Sequence, residues 1–312
     1  MNGLQLSKKY FVEVAQPRLK SDFPELYPRL AAGLVGNGSE CFGYDDELSR
    51  DHDWGVDFYI WTAERDRGAI QALRDWKDSL FAAAPPEFAR TRSEYGARIG
   101  VMTCCDFYKG LIGAGIGPHS IKEWLSAPEE NLAIAVNGEV FIDGTGEFTG
   151  TREYLLAHYP EVLRKKRIAT CCMALAQAGQ YNLERIAKRG DTVTLRYVLS
   201  HFSENVIAIV FLLNKIYRPF YKWAFRRMLE LPVLGNESGK LLLKLAEIGG
   251  FGRESLARQM DCISEICALI TAELRSQQLA ESDDWFLATH GEIIRAGIEN
   301  EFLRSLPAQY KI

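Results

Sequence analysis

The sequence predicts an α+β fold over residues 1–150, followed by an all-α helical bundle over 151–312. Three observations predict it. Runs rich in β-branched and aromatic residues lie in the first half. After Gly150 glycines thin out, and long apolar periods of helical spacing take over. The length of 312 residues suits two domains of ordinary size.

Residues 4–16 read as an amphipathic helix with Leu4, Leu6, Tyr10, Phe11 and Val14 on its apolar side, ended by Pro17. A second helix is expected from Asp22 to about Leu30, carrying Phe23, Leu26, Tyr27 and Leu30. The run AAGLV then leads into a glycine-rich turn. Asp51 to Trp61 reads as a strand, and residues 66–82 as a helix carrying Ile70, Leu73, Trp76 and Leu80, broken by Ala84-Pro85-Pro86. Ala97 to Thr103 reads as a strand and Asp106 to Leu111 as the start of a helix. Gly110 to Pro118 reads as a connection, and Ile121 to Leu125 as a short helix. Leu132 to Ile142 carries Asn137-Gly138, the strongest short hairpin signal in the chain. Helices are then expected over about 151–158, 160–179, 182–188, 192–217, 219–230, 238–248, 253–279 and 283–304.

The composition is that of an ordinary globular chain, 47% hydrophobic and 25% charged, which excludes collagen, coiled-coil rods and wholesale disorder. A net charge of −4 excludes the molecule as a whole from electrostatic nucleic-acid binding. That charge is unevenly placed. Residues 151–234 hold fourteen Lys/Arg against six Asp/Glu, a balance of +8 that leaves −12 for the rest. Such asymmetry points to a polyanionic ligand near the start of the helical domain, or to a set of solvated helix faces. The stretch MNGLQLSKKYFVEVAQ lacks the apolar core of a signal peptide. The longest strongly apolar run, Val206 to Leu213, falls short of the ~20 residues that span a bilayer. A cytoplasmic protein without a membrane partner is expected. The seven cysteines, two pairs of them adjacent, read as buried thiols in a reducing compartment.

The stretch that carries chemistry is Leu34 to Ile60. A short strand runs into Gly36-Asn37-Gly38-Ser39, where glycines let the backbone approach an anion, and a turn opening a helix offers N–H groups to phosphate oxygens. Asp51 and Asp53 follow. On a strand, positions i and i+2 share a face, so their carboxylates would converge while His52 points away. Two close carboxylates repel, and a divalent cation held by hard oxygen ligands relieves that repulsion. Taken alone, Asp-x-Asp also reads as an exposed acidic turn. Elsewhere the readings divide. His52 reads as a buried hydrogen-bonding residue or as a contact to an adjacent loop that orients the metal site, and Trp54 as core rather than a base-stacking platform. His201 and Asn205 share a helix face as a polar pair or a ligand site. Tyr217 to Lys222 surround a break at Pro219. They form a bundle corner with snorkelling cations, or they bring Arg218 or Lys222 to a triphosphate at an interdomain cleft. The sequence GNGSE does not fit a hydrolase elbow, and neither a Walker A nor a Rossmann glycine pattern occurs.

The ordered set resembles the nucleotidyltransferase fold of the DNA polymerase beta superfamily, with its Gly-Ser turn and Asp-x-Asp strand. The longer stretch is similar to a bacterial family of unknown function predicted to be nucleotidyltransferases. The residues that carry the likeness are Gly38-Ser39, Gly43-Tyr44-Asp45 and Ser49-Arg50-Asp51-His52-Asp53-Trp54-Gly55. It continues in Trp124-Leu125, Val140-Phe141-x-Asp143, His158-Tyr159-Pro160 and Tyr217-Arg218-Pro219-Phe220-Tyr221-Lys222-Trp223. The resemblance implies that Gly38 and Ser39 hold the triphosphate of an NTP, with ATP the favoured donor. It implies that Asp51 and Asp53 hold Mg²⁺, and that a nucleoside monophosphate passes to a hydroxyl of an acceptor. A small molecule is the favoured acceptor, with protein or RNA as alternatives. The superfamily's third carboxylate would be Asp106, at the end of its strand, then Asp143, with Asp57 further along the Asp51/Asp53 face. Without a third carboxylate, the alternative is a catalytically silent nucleotide-binding or regulatory protein on the same fold.

Overall fold

A computed structural model describes residues 1–50, 54–88 and 100–309. The chain is 66% helical, so helices carry most of the fold, and its strands form one small mixed sheet. It divides into two compact units, Met1–Ala157 and His158–Ile312.

The first unit opens with α1 (Gly3–Tyr10), where Asn2 and Gln5 form a reciprocal capping box. The helix does not stop at Pro17. Phe11–Ala15 widens into a π turn, in which the Gln16 N–H bonds the Phe11 carbonyl, and α2 (Gln16–Asp22) continues with Pro17 in its first turn. A first-turn position tolerates both the missing N–H and the ring, and the wide turn makes that position available. The helix expected at 22–30 is instead a turn and a 3-10 turn, Tyr27–Arg29, because Pro24 and Pro28 interrupt it. Phe23, Leu26 and Tyr27 still pack against the core.

The sheet has the order β3-β2-β1-β4. β1 (Ala31–Leu34) is fully buried and runs antiparallel to both β2 (Tyr59–Thr62) and β4 (Glu139–Asp143). β3 (Val101–Thr103) lies parallel to β2. The strand expected from Asp51 is shorter than its sequence pattern. Trp54–Phe58 has no strand structure, and Asp51, His52 and Asp53 lie outside the described residues, as does 97–99 before β3. Around the sheet lie α3 (Ser39–Phe42), α4 (Ile70–Ala82), α5 (Cys104–Ile112), α6 (Ile121–Ser126), α7 (Glu129–Ala135) and α8 (Glu147–Leu156). The hairpin expected over 132–142 is a helix followed by a strand. Leu132, Ala133, Ile134 and Ala135 are all buried, so after its acidic first turn α7 shows no alternation from which a helical period could be read.

Tyr10, Phe11, Phe58, Ile60, Leu73 and Val101 are among the residues that fill the core of this unit. A charge pair lies inside it. Asp57 and Lys77 are both buried, 2.7 Å apart, and the Lys77 ammonium also lies over the Phe58 and Phe81 rings at 5.4 and 5.5 Å. The Phe58 N–H donates to Asp57 Oδ1 at 2.8 Å.

The second unit comprises α9 (Glu161–Leu175), α10 (Leu183–Lys188), α11 (Thr192–Asn214), α12 (Tyr221–Met228), α13 (Gly235–Glu247), α14 (Arg253–Ser276), α15 (Leu287–Ala296) and α16 (Glu301–Ser305). α9 packs against α11 and α15 and runs into a π stretch, Ala176–Asn182. The single helix expected over 283–304 is two, separated by Gly297–Asn300. By length and composition alone α11 is apolar enough to cross a membrane, with mean hydropathy 1.3. It buries Phe202, Val206, Ile209 and Phe211 and carries Arg196 and Glu204. All seven cysteines are free thiols, and burial pushes Cys267 up to about 12.

The Asp57–Lys77 pair yields a test. Lys77→Met leaves an uncompensated buried carboxylate and should destabilise the first unit by about 3–5 kcal/mol. The Asp57→Asn/Lys77→Met double variant should recover most of that loss in urea unfolding. An equal loss in the double variant would show that the lysine acts through packing alone.

Candidate functional site

The chain leaves β1 through Val35, Gly36, Asn37 and Gly38 and enters α3 at Ser39. Gly38 has φ +129°, a conformation that favours glycine, and the Glu40 carboxylate lies against it, 2.7 Å from where a Cβ would stand. A four-residue helix has little dipole. What the loop offers is a glycine backbone open to close approach, with the hydroxyl-bearing Ser39 at its end.

This loop is held from behind. The Asn137 amide bonds both backbone groups of Gly36: Gly36 N–H donates to Asn137 Oδ1 and Asn137 Nδ2 donates to the Gly36 carbonyl, each at 2.8 Å. The side chain thus takes the place of a strand neighbour. Gly138 N–H donates to the Cys41 carbonyl at 2.8 Å. A Cβ on Gly138 would meet the Leu34 carbonyl oxygen at 2.0 Å. Arg152 donates to the carbonyls of Asn137 and Gly138 at 2.7 and 3.2 Å, and burial lowers its pKa. The signal at Asn137-Gly138 was legible as a turn. Its partner, a loop a hundred residues earlier, was not.

Strand direction decides which residues join the loop. β2 runs antiparallel to β1 with Tyr59 opposite Gly33, so β2 begins at the sheet end where the loop leaves. Trp54, directly after Asp53, donates its indole N–H to Asp45 Oδ2 at 2.9 Å, and the Gly3 N–H donates to the same oxygen at 2.7 Å. Trp54 is half-buried in this network rather than a plain core residue. β3 runs parallel to β2, so Thr103 lies beside Thr62 at the opposite end. Asp106 follows there. Its carboxylate bonds Arg67 at 2.8 Å and accepts no role beside Gly38; the bond to Arg67 holds its pKa below the usual range. Asp143 pairs with Ala31, also at the far end, and accepts from the N–H groups of Gly146 and Thr149 at 2.9 and 2.8 Å. Asp57 turns to Lys77. The structure therefore brings none of Asp106, Asp143 and Asp57 to the loop. Carboxylates at the loop end include Glu40, buried beside Gly38, Glu139, opposite Leu34 and ion-paired with Lys8, and Asp45, which accepts from Trp54 and Gly3. Sequence reasoning singled out neither Glu40 nor Glu139. Among the described residues, no group of three or more His, Cys, Asp or Glu is placed to hold a metal.

Arg218 and Lys222 belong to the second unit. Arg218 lies 3.8 Å from Glu204, and Lys222 is exposed with its ammonium 5.0 Å from the Trp223 ring centroid. His201 and Asn205 form a local polar pair, Asn205 Nδ2 donating to the His201 carbonyl at 2.8 Å.

Two further motifs of that unit meet. His158 stacks on Tyr217 at 4.8 Å, and Tyr159 packs edge-on to the same ring at 5.0 Å. The Arg167 guanidinium lies over Tyr159 at 4.5 Å. His158 is buried at φ +73°, a conformation rare for a side chain of its size. Neither ring nitrogen has a hydrogen-bond partner among the described residues. Burial, then the charges of Arg164, Arg167 and Lys215, push its pKa down to about 3.

A family model described as Domain of unknown function (DUF4037) matches residues 124–224. No curated protein and no solved structure matches the chain. The DUF4037 segment holds Asn137, Gly138 and Arg152, which brace the loop, and the His158 and Tyr217 motifs. Gly38, Ser39, Asp51 and Asp53 precede it.

Two outcomes are expected. Asn137→Ala should leave both Gly36 backbone groups unpaired, at about 1–3 kcal/mol, and speed amide exchange across 31–41. Unchanged exchange would remove the amide from its bracing role. The second outcome concerns His158, whose pKa in the fold lies below its ordinary value. The unfolded chain takes up a proton first, so this contribution is complete above about pH 6.5 and declines as pH falls toward 3. The slope is about 1.4 kcal/mol per pH unit. His158→Asn should lose this slope while tolerating the left-handed backbone. A wild-type-minus-variant difference that stays flat between about pH 7 and about pH 4 would mean that the ring takes up its proton as readily in the fold as in the unfolded chain.

Proposed function

We propose that this chain is a Mg²⁺-dependent nucleotidyltransferase of the polymerase-beta type, moving a nucleoside monophosphate from an NTP, with ATP the favoured donor, to an acceptor hydroxyl. The observation that carries this reading is the braced Gly36–Ser39 loop, which leaves the central strand at the sheet end where β2 begins. The Asp51-His52-Asp53 run lies a few residues before β2 in sequence.

In this reading Gly38 lets the triphosphate approach the backbone, and Ser39 donates its hydroxyl to a phosphate oxygen. Asp51 and Asp53 supply hard carboxylate oxygens suited to Mg²⁺. An ion held there would supply charge neutralisation at the phosphates and favour ionisation of the acceptor hydroxyl. The acceptor oxygen forms its bond to the α-phosphorus and its proton passes to solvent. The bond from that phosphorus to the bridging oxygen breaks, and pyrophosphate leaves.

The separation of Asp106 and Asp143 from the loop favours a second reading, nucleotide binding without transfer. The experiment distinguishes the two. Thermal unfolding is followed with ATP, GTP, CTP or UTP, with and without Mg²⁺. A nucleotide at about 100 times its Kd stabilises the fold by about 2.7 kcal/mol, which raises Tm by several degrees. The shift should require Mg²⁺ and vanish in Asp51→Asn/Asp53→Asn. Pyrophosphate release on adding hydroxyl acceptors supports transfer, whereas a Mg²⁺-dependent shift without release supports silent binding. No shift with any nucleotide overturns both.

A further inference from the structure

The helical unit carries a surface that the nucleotide loop does not use. Residues 205–229 contain five Lys/Arg and no Asp/Glu, although the whole chain is acidic. The structure places much of this charge beside exposed aromatic rings. Phe220 is 44% and Tyr221 78% exposed, and their rings pack against each other at 4.2 Å. Lys222 and Arg226, one helical turn apart on α12, are both exposed. Arg218, just before this pair, reaches Glu204 on α11. One turn away, His201 lies 3.8 Å from the same Glu204 and is parallel to Tyr197, which is 71% exposed.

We infer that this face binds a single-stranded polynucleotide. Exposed aromatic rings stack on bases of any sequence, and cations between them meet the phosphates. Tyr197 to Glu204 alone covers about 10 Å along α11, and Arg218, Phe220 and Tyr221 extend the track beyond it. That length suits several nucleotides rather than one. A lipid surface suits it less. The apolar side of α12, including Ala224 and Met228, is buried in the unit, which leaves mainly its cationic side outward. Glu204 lies within the track beside His201 and Arg218, and Glu230 beside Arg227, so the track is not uniformly basic. This goes beyond the nucleotidyltransferase reading and does not depend on it.

The test uses the full chain without NTP or Mg²⁺. Fluorescence anisotropy is measured with labelled 12-nucleotide RNA and DNA strands of mixed sequence, whose relative affinities distinguish the two sources. Tyr221→Ala should weaken binding about tenfold. Arg226→Gln should lower the slope of log affinity against log salt by about 0.7, the share of one phosphate contact. Tyr181→Ala, an exposed aromatic elsewhere in the unit, should change neither. The Tyr221→Ala chain should keep any nucleotide-dependent rise in Tm, so failure here is separable from failure of the transferase reading. The inference is overturned by absent binding of both strands, or by equal loss in Tyr181→Ala and Tyr221→Ala. It is also overturned by binding that ignores Tyr221, or by Tyr221-dependent binding confined to vesicles of anionic phospholipid.

Discussion

The first unit depends on how closely the backbone leaving β1 approaches the turn at Asn137-Gly138. Gly138 stands where no side chain fits, because the Leu34 carbonyl fills the space a Cβ would take. That approach brings the Asn137 amide level with Gly36, where it bonds both backbone groups. Arg152 then takes up the two carbonyls on the outer side of the turn. A glycine loop left to itself samples many conformations, and ordering it costs more than ordering any other residue type. Here that cost is met before any ligand arrives, by hydrogen bonds from the turn that leads into the neighbouring strand β4. The loop's shape is therefore a property of the β1–β4 pair and not of the loop sequence.

Much of the architecture could be read from local pattern. The run Ala31–Leu34, the glycine turn that follows, the helix carrying Leu73 and Leu80, and most helices after Gly150 fall where periodicity put them. The departures have separate causes. Periodicity shows an element only when buried and wet positions alternate, and Leu132–Ala135 is buried throughout, so this apolar run read as a strand. Pro17 looked like an end because the π turn that accommodates it leaves no mark in composition. Trp54–Phe58 has the residues of a strand, yet the ladder begins only at Tyr59.

The site was less legible than the fold, and strand direction is the reason. Asp106 and Asp143 both follow strands, as a third carboxylate should. Which end of the sheet they occupy depends on whether β3 runs with or against β2, and on the antiparallel pairing of β4 with β1. No spacing rule conveys this. Glu40 lay inside the very stretch that drew attention, yet only the fold shows it buried beside Gly38. In the helical unit, His158 and Tyr217 were noted as separate motifs 59 residues apart. Their stacking gives them a common reason to be present, since each ring covers the other inside a cluster of cations.

The uneven charge then acquires a physical sense. Carboxylates such as Glu40 beside the Gly36–Ser39 loop repel a polyanion until a cation intervenes, whereas the basic stretch after Gly150 attracts one unaided. At physiological ionic strength such fields fade over about 8 Å, so charge acts mainly on what is already near. Attraction that weak at long range holds little by itself. The exposed rings of Phe220, Tyr221 and Tyr197 add contact that salt does not screen. Hydrophobic rings on a surface otherwise served by lysine and arginine carry a cost in solubility. That cost is consistent with a ligand that offers flat apolar faces together with negative charge.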